Sequence, residues 1–213
     1  MIVRVVLIDS SVNPQHPHLA GAVLEAGPAF EADGTRVDGV PLQDALGHGT
    51  CAAAAIHSLA PLAVLHIVRV FGAEPRCSFA ALLAALDYAA SVQAQLVNLS
   101  LGTARASHAA ACEHAVNKLR ESGAALVAPL SFQGLPSFPG VLPSVYGVKE
   151  DASLPREAPV LRALGGRMVW HASPLPRALP QLPIERNLSG ASLAAANFTA
   201  WGAARLARGE ALP

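Results

Sequence analysis

A chain of 213 residues, 52% of them apolar, is long enough for one well-buried domain over 1–213 and short for two. Fifteen basic residues balance fifteen acidic ones, which argues against a nucleic-acid or anionic-lipid partner, and no apolar run reaches the ~20 residues of a membrane span. Three cysteines, Cys51, Cys77 and Cys112, show no C-x-x-C spacing, which argues against a disulfide framework or a structural zinc and suits free thiols in the cytoplasm.

The chain opens with "MIVRVVLIDSSV", which lacks the charged leader, long apolar core and cleavage site of a signal peptide and reads as a strand over 4–9. A helix follows at about 48–58, then a strand at 64–71. A helix over 79–93 has Ser78 as its cap and Leu82, Leu83 and Leu86 on its apolar face. Next come a strand at 96–100, a helix over 105–122 stopped by Gly123, strands at 125–130, 144–149 and 168–172, and a last helix over 192–207. The Pro- and Gly-rich stretches 134–143 and 153–187 read as irregular loops. Strands that are continuous apolar runs, alternating with helices, predict an α/β fold with three layers, a doubly wound and mostly parallel sheet between helices.

Three distant stretches place a reactive side chain where a strand ends or a helix starts. "VVLIDSSVNPQHPHLAG" ends a buried strand in Asp9, "GHGTCAAAA" puts His48 at the mouth of a helix, and "LSGASLAAANF" puts Ser192 at the opening of the last one. A serine hydroxyl is a weak nucleophile until a base accepts its proton, and a histidine base needs a carboxylate to fix its tautomer and stabilise the imidazolium. The glycine spacing around His48 also fits a nucleotide-binding loop, but that loop requires a buried strand immediately before it, and "DGVPLQDAL" is not one.

In these motifs, and in "LVNLSLG" at 96–102, the chain resembles the subtilisin-like serine proteases over almost its whole length. The resemblance implies a subtilisin-like fold and an acyl-enzyme mechanism, with Ser192 as nucleophile, His48 as general base and then acid, and Asp9 orienting His48. It implies that the Ser192 N–H is an oxyanion donor and that Ser100, Leu101 and Gly102 hold a peptide or protein substrate as an added strand. No cofactor and no metal ion are expected, and neither nucleic acid nor membrane is an expected partner.

The sequence also departs from the family. The asparagine that usually supplies the second oxyanion donor has no counterpart in "VAPLSFQG"; the matching position is Ser131 or Phe132, with Gln133 adjacent, and only Ser131 and Gln133 carry a side-chain donor. Ser11 stands where a glycine is usual, Cys51 for a second histidine, Ala191 for a threonine and Ala196 for a proline. The short passage from the His48 helix to the next strand leaves out a loop that often helps bind calcium, and no prodomain is expected. These features together describe a pared-down processing protease of the cytoplasm. They resemble the maturation proteases that remove leader peptides, including the one serving the small subunit of quinohemoprotein amine dehydrogenase. The alternative is an impaired relative that binds a peptide or a maturation partner without cutting it.

Overall fold

The structure is a computed structural model and describes residues 1–180 and 182–213. Its frame is a nine-stranded sheet ordered β10-β11-β9-β6-β5-β1-β4-β2-β3. The central strands β1 (Val3–Asp9), β4 (Ala63–Arg69), β5 (Leu96–Leu99), β6 (Ala125–Pro129), β9 (Tyr146–Glu150) and β11 (Arg167–Ala172) pair in parallel. Apolar β-branched runs in β1 and β5 are buried on both faces, as parallel strands covered by helices must be.

Five strands lie outside the expected set. β2 (Val23–Phe30) pairs with β4, and its register shifts between Ala26 and Ala29, the stretch that contains Gly27 and Pro28. A bulge there removes the need for a ladder N–H, which is how a proline is tolerated. β10 (Val160–Leu164) is an exposed edge strand, antiparallel to β11, inside the stretch read as irregular. At the other edge, β3 (Arg36–Val37) pairs antiparallel with β2. The hairpin of β7 (Ser131–Phe132) and β8 (Leu135–Pro136) stands apart from the main sheet.

Helices α1 (His48–Leu59) and α4 (Ala191–Ala207) form one outer layer, and α2 (Phe79–Ser91) and α3 (Ala109–Glu121) the other. α3 begins with a 3-10 turn at Ala106–His108 and ends where Gly123 takes a φ of 87°. Ser78 caps α2 as expected, accepting from the Ala81 N–H at 3.0 Å. Four consecutive alanines, Ala52–Ala55, are buried in α1 and three more, Ala194–Ala196, in α4. Their small side chains let the two helices approach closely, with Phe198 of α4 filling the space beside Tyr146, Trp170 and Trp201. This packing brings the first turns of α1 and α4 to the carboxyl ends of β1 and β5, where open α/β sheets place their sites.

Candidate active site

Asp9 is the last residue of β1 and is fully buried. A buried carboxylate is costly without partners, and this one has them: the Ser10 N–H donates to its Oδ1 at 2.7 Å, and His48 Nδ1 lies 2.8 and 2.9 Å from the two oxygens. This geometry fits a proton on Nδ1 and leaves Nε2 as the basic atom. Burial pulls the His48 pKa down, but the hydrogen bond and charge of Asp9, aided by the charge of Asp44, outweigh it and hold the imidazole above its ordinary value. The edge of Phe71 packs against the ring with centroids 6.4 Å apart.

What brings His48 to Asp9 is a network that the motifs alone did not reveal. Asp44 Oδ1 accepts from the Ser10 hydroxyl at 2.8 Å and from the Leu46 and Gly47 N–H groups at 3.0 and 2.9 Å. Its Oδ2 accepts from the N–H and hydroxyl of Thr50 at 2.8 and 2.6 Å. Ser10 Oγ in turn accepts from the Gly49 N–H at 3.0 Å, and the Thr50 hydroxyl accepts from the Asn13 N–H at 2.9 Å. The start of α1 is thereby tied to the loop that leaves β1. An aspartate four residues before His48 is the sequence signal for this side-chain cap of α1's orphan N–H groups.

Two residues fit this junction tightly. A Cβ on Gly49 would collide with the carbonyl oxygen of Ser11, so the second glycine of "GHGT" is required by close approach. Ser11 adopts a φ of 85°, the left-handed region in which glycine is at ease. The glycine usual in the family is absent there, yet the serine takes a conformation that favours glycine.

Ser192 lies in the first turn of α4, which starts at Gly190 with a φ of 132°. The Leu193 and Ala194 N–H groups turn back to the Gly190 carbonyl, and the helix start leaves the Ser192 N–H without an acceptor among the described residues. The Ser192 hydroxyl donates to the Ser100 carbonyl at 3.3 Å; among the described residues no hydrogen bond joins it to His48. Both side chains nevertheless line one cleft of about 520 Å³, together with Ser100, Leu101, Gly102 and Phe132.

The segment after β5 is fixed from behind. Asn98 is fully buried; its Nδ2 donates to Ser100 Oγ at 3.1 Å and its Oδ1 accepts from Thr199 of α4 at 2.9 Å. Its side chain is therefore engaged within the fold and is not a contact for a ligand. Thr103 and Phe138 exchange both backbone hydrogen bonds, at 2.9 and 2.8 Å. A side chain on Gly102 would strike the buried Ser137 hydroxyl. Of the three residues considered for a second oxyanion donor, Phe132 lines the cleft, whereas Ser131 begins the β7–β8 hairpin and Gln133 is exposed at its turn with a φ of 50°.

Arg156 braces α1 against α4. It donates to Asn197 Oδ1 of α4 at 3.0 Å, and to the Ala55 carbonyl and Ser58 hydroxyl of α1 at 3.0 and 2.8 Å. Asn197 passes the connection on, donating to the Ser173 and Leu175 carbonyls.

Comparison with known proteins gives the chain a family and a fold. Residues 2–129 match the sequence model of the subtilase family, Peptidase_S8. The chain is 32% identical to subtilisin BL of Lederbergia lenta over 145 residues, 63% of this chain, and it spans about half (49%) of that relative's length. Among solved structures, the prenylagaramide maturation protease PagA superposes with a TM-score of 0.69 at 24% identity, covering 98% of this chain and 78% of that one. A cold-adapted subtilisin-like serine proteinase gives 0.72 at 20% identity, covering 99% and 77%. The patellamide maturation protease PatA gives 0.68 at 23%, covering 98% and 81%. The fold is thus subtilisin-like, α/β in three layers.

Proposed function

The chain belongs to the subtilase family, and from that premise we propose that it is a serine endopeptidase whose triad is Asp9, His48 and Ser192. The carrying observation is that His48, paired to a buried Asp9 at 2.8 Å, shares a cleft with a serine at a helix mouth. The family match covers Asp9 and His48 and stops before Ser192, so the serine rests on this shared cleft and on its motif.

In the proposed reaction a peptide pairs its backbone with Ser100, Leu101 and Gly102. The Ser192 hydroxyl turns from the Ser100 carbonyl to His48 Nε2, gives up its proton there and attacks the scissile carbonyl. Negative charge develops on the carbonyl oxygen beside the Ser192 N–H, at the positive end of α4. His48 then returns the proton to the leaving amine, and water resolves the acyl-enzyme by the reverse sequence. With Phe132 facing the cleft, Ser131 or Gln133 supplies a second donor only if the hairpin turns. Loss of one oxyanion donor costs roughly 10²–10³ in turnover.

A slow enzyme suits a processing role, in which one site in one peptide or protein is cut. The likeness to two maturation proteases is in keeping with such a role, and removal of a leader peptide is the form of processing proposed. A second reading, binding without turnover, is favoured by the Ser192 hydroxyl pointing to Ser100 and by the phenylalanine at 132. A fluorophosphonate probe separates the two. The protease reading expects labelling of the wild type and none of Ser192→Ala; labelling that persists in the variant, or an unreactive wild type, refutes it.

A further inference from the structure

A second cavity, of about 250 Å³, lies on the other side of the His48 turn, and its lining runs from Gly47 and Thr50 of the α1 entry to Leu188, just before α4. The cleft described above opens instead toward α2, past Phe71 and Cys77. A peptide whose acyl half pairs with 100–102 and whose scissile carbonyl meets Ser192 continues beyond the cut toward the α1–α4 side, where this cavity sits.

The wall of the cavity is cationic and has donors to offer. Among the described residues Arg177 makes one hydrogen bond, to the His18 carbonyl at 3.0 Å, and the other N–H groups of its planar fork have no partner there. His16 Nδ1 accepts from the His18 N–H at 3.2 Å, so Nε2 is its remaining ring atom for a partner. The His18 ring is held below its ordinary value, first by burial and then by the charges of Arg177, His16 and Arg156. Among the described residues the one carboxylate on the lining is Asp44, and its two oxygens already take five donors.

We propose that this cavity is the subsite for the leaving segment of the substrate and that it takes an aspartate or glutamate side chain, clamped by Arg177 and His16. The direction of the substrate rests on the proposed roles of Ser192 and His48; the anion site itself does not.

Two measurements test it on the full chain. In the first, free glutarate is titrated while the ring signals of His16 and His18 are followed by NMR. A saturable shift is expected in the wild type, absent in Arg177→Glu and weakened in Arg177→Gln, with cadaverine inert; no saturation, or the same curve in Arg177→Glu, overturns the anion site. In the second, the wild type digests a library of peptides of natural sequence, and the cut sites are read by mass spectrometry. Asp or Glu is expected about tenfold over Asn or Gln on the leaving side, the equivalent of one charge-assisted hydrogen bond, with the preference inverted toward Lys and Arg in Arg177→Glu. Cleavage without that preference overturns its assignment to the leaving segment. A library left uncut by the wild type, or cut equally by Ser192→Ala, counts against the protease reading and removes the leaving-side role, while the glutarate result still decides the site.

Discussion

Replacing Asp44 with asparagine preserves the shape of the side chain but removes its charge and one acceptor. If the remaining carbonyl faces Ser10, Leu46 and Gly47, the new amide faces the Thr50 N–H, which lay 2.8 Å from an oxygen and now has no acceptor. Losing a helix cap of this kind costs ~1–2 kcal/mol. The three bonds left change from charge-assisted to neutral, which adds roughly 1–2 kcal/mol more. The total, about 2–4 kcal/mol, lowers the melting temperature on the order of 10 °C in a chain this size. The second consequence concerns His48, because the charge of Asp44 is one of the influences raising its pKa. On the proposed mechanism His48 must be neutral to accept a proton from Ser192, so activity is expected to rise with pH through the His48 pKa. In the wild type that limb lies above the ordinary histidine value of ~6.5, and in Asp44→Asn it moves to lower pH. The assay is the second-order rate of fluorophosphonate labelling from pH 5 to 9, which requires no knowledge of the natural substrate, with thermal unfolding measured in parallel. The variant is expected to label about tenfold more slowly on its plateau, the equivalent of ~1.4 kcal/mol of lost positioning. A limb that stays in place, or a plateau equal to the wild type's, refutes a role for Asp44 in positioning and tuning the base.

Three other substitutions probe the same junction. Gly49→Ala drives a methyl group into the Ser11 carbonyl and separates His48 from Asp9; labelling is expected to fall about 100-fold, of the order of the loss when a catalytic group shifts by ~1 Å, with far-UV circular dichroism unchanged, and a loss under threefold contradicts the close fit. Ser11→Gly relaxes a φ of 85° and gives up only a 3.3 Å bond from the Gln43 N–H, so it should stabilise the chain by ~0.5–1 kcal/mol in urea unfolding; a destabilised variant would show that the serine hydroxyl matters more than the backbone. Arg156→Ala leaves the buried Asn197 oxygen and the Ala55 carbonyl without this donor and should cost ~2–4 kcal/mol in the same assay; a change below 0.5 kcal/mol would mean that the brace carries no load.

The sequence announced the parts of the site that are local. Asp9, His48 and Ser192 could be proposed because each sits in a short motif at the end of a strand or the start of a helix, and the apolar runs that became β1, β4, β5, β6, β9 and β11 are long enough to speak for themselves. β2 stayed hidden because Glu25, Gly27 and Pro28 break its apolar pattern, and β10 because an edge strand has no buried face to leave a pattern. What joins distant residues could not be read. The Asp44 network needs the fold to bring residue 44 against residue 10, and the Arg156 brace spans from residue 156 to residue 58. His16 and His18 fall in a short polar turn, and only the fold sets Arg177 beside them. The stretch 131–133 left a choice that only the hairpin narrows, by turning Phe132 to the cleft.

Phe138 already pairs with Thr103 at one edge of the segment after β5, which leaves the cleft side of 100–102 for a guest strand. On the proposed reading this one-sided berth selects for conformation before it selects for side chains. A helix has its own N–H and C=O groups paired internally, and a strand inside a sheet has both edges taken, so neither can bind there. Cutting then depends on the target segment being locally unfolded, and the moment at which that segment folds or is covered by a partner becomes the clock that decides whether processing can still occur.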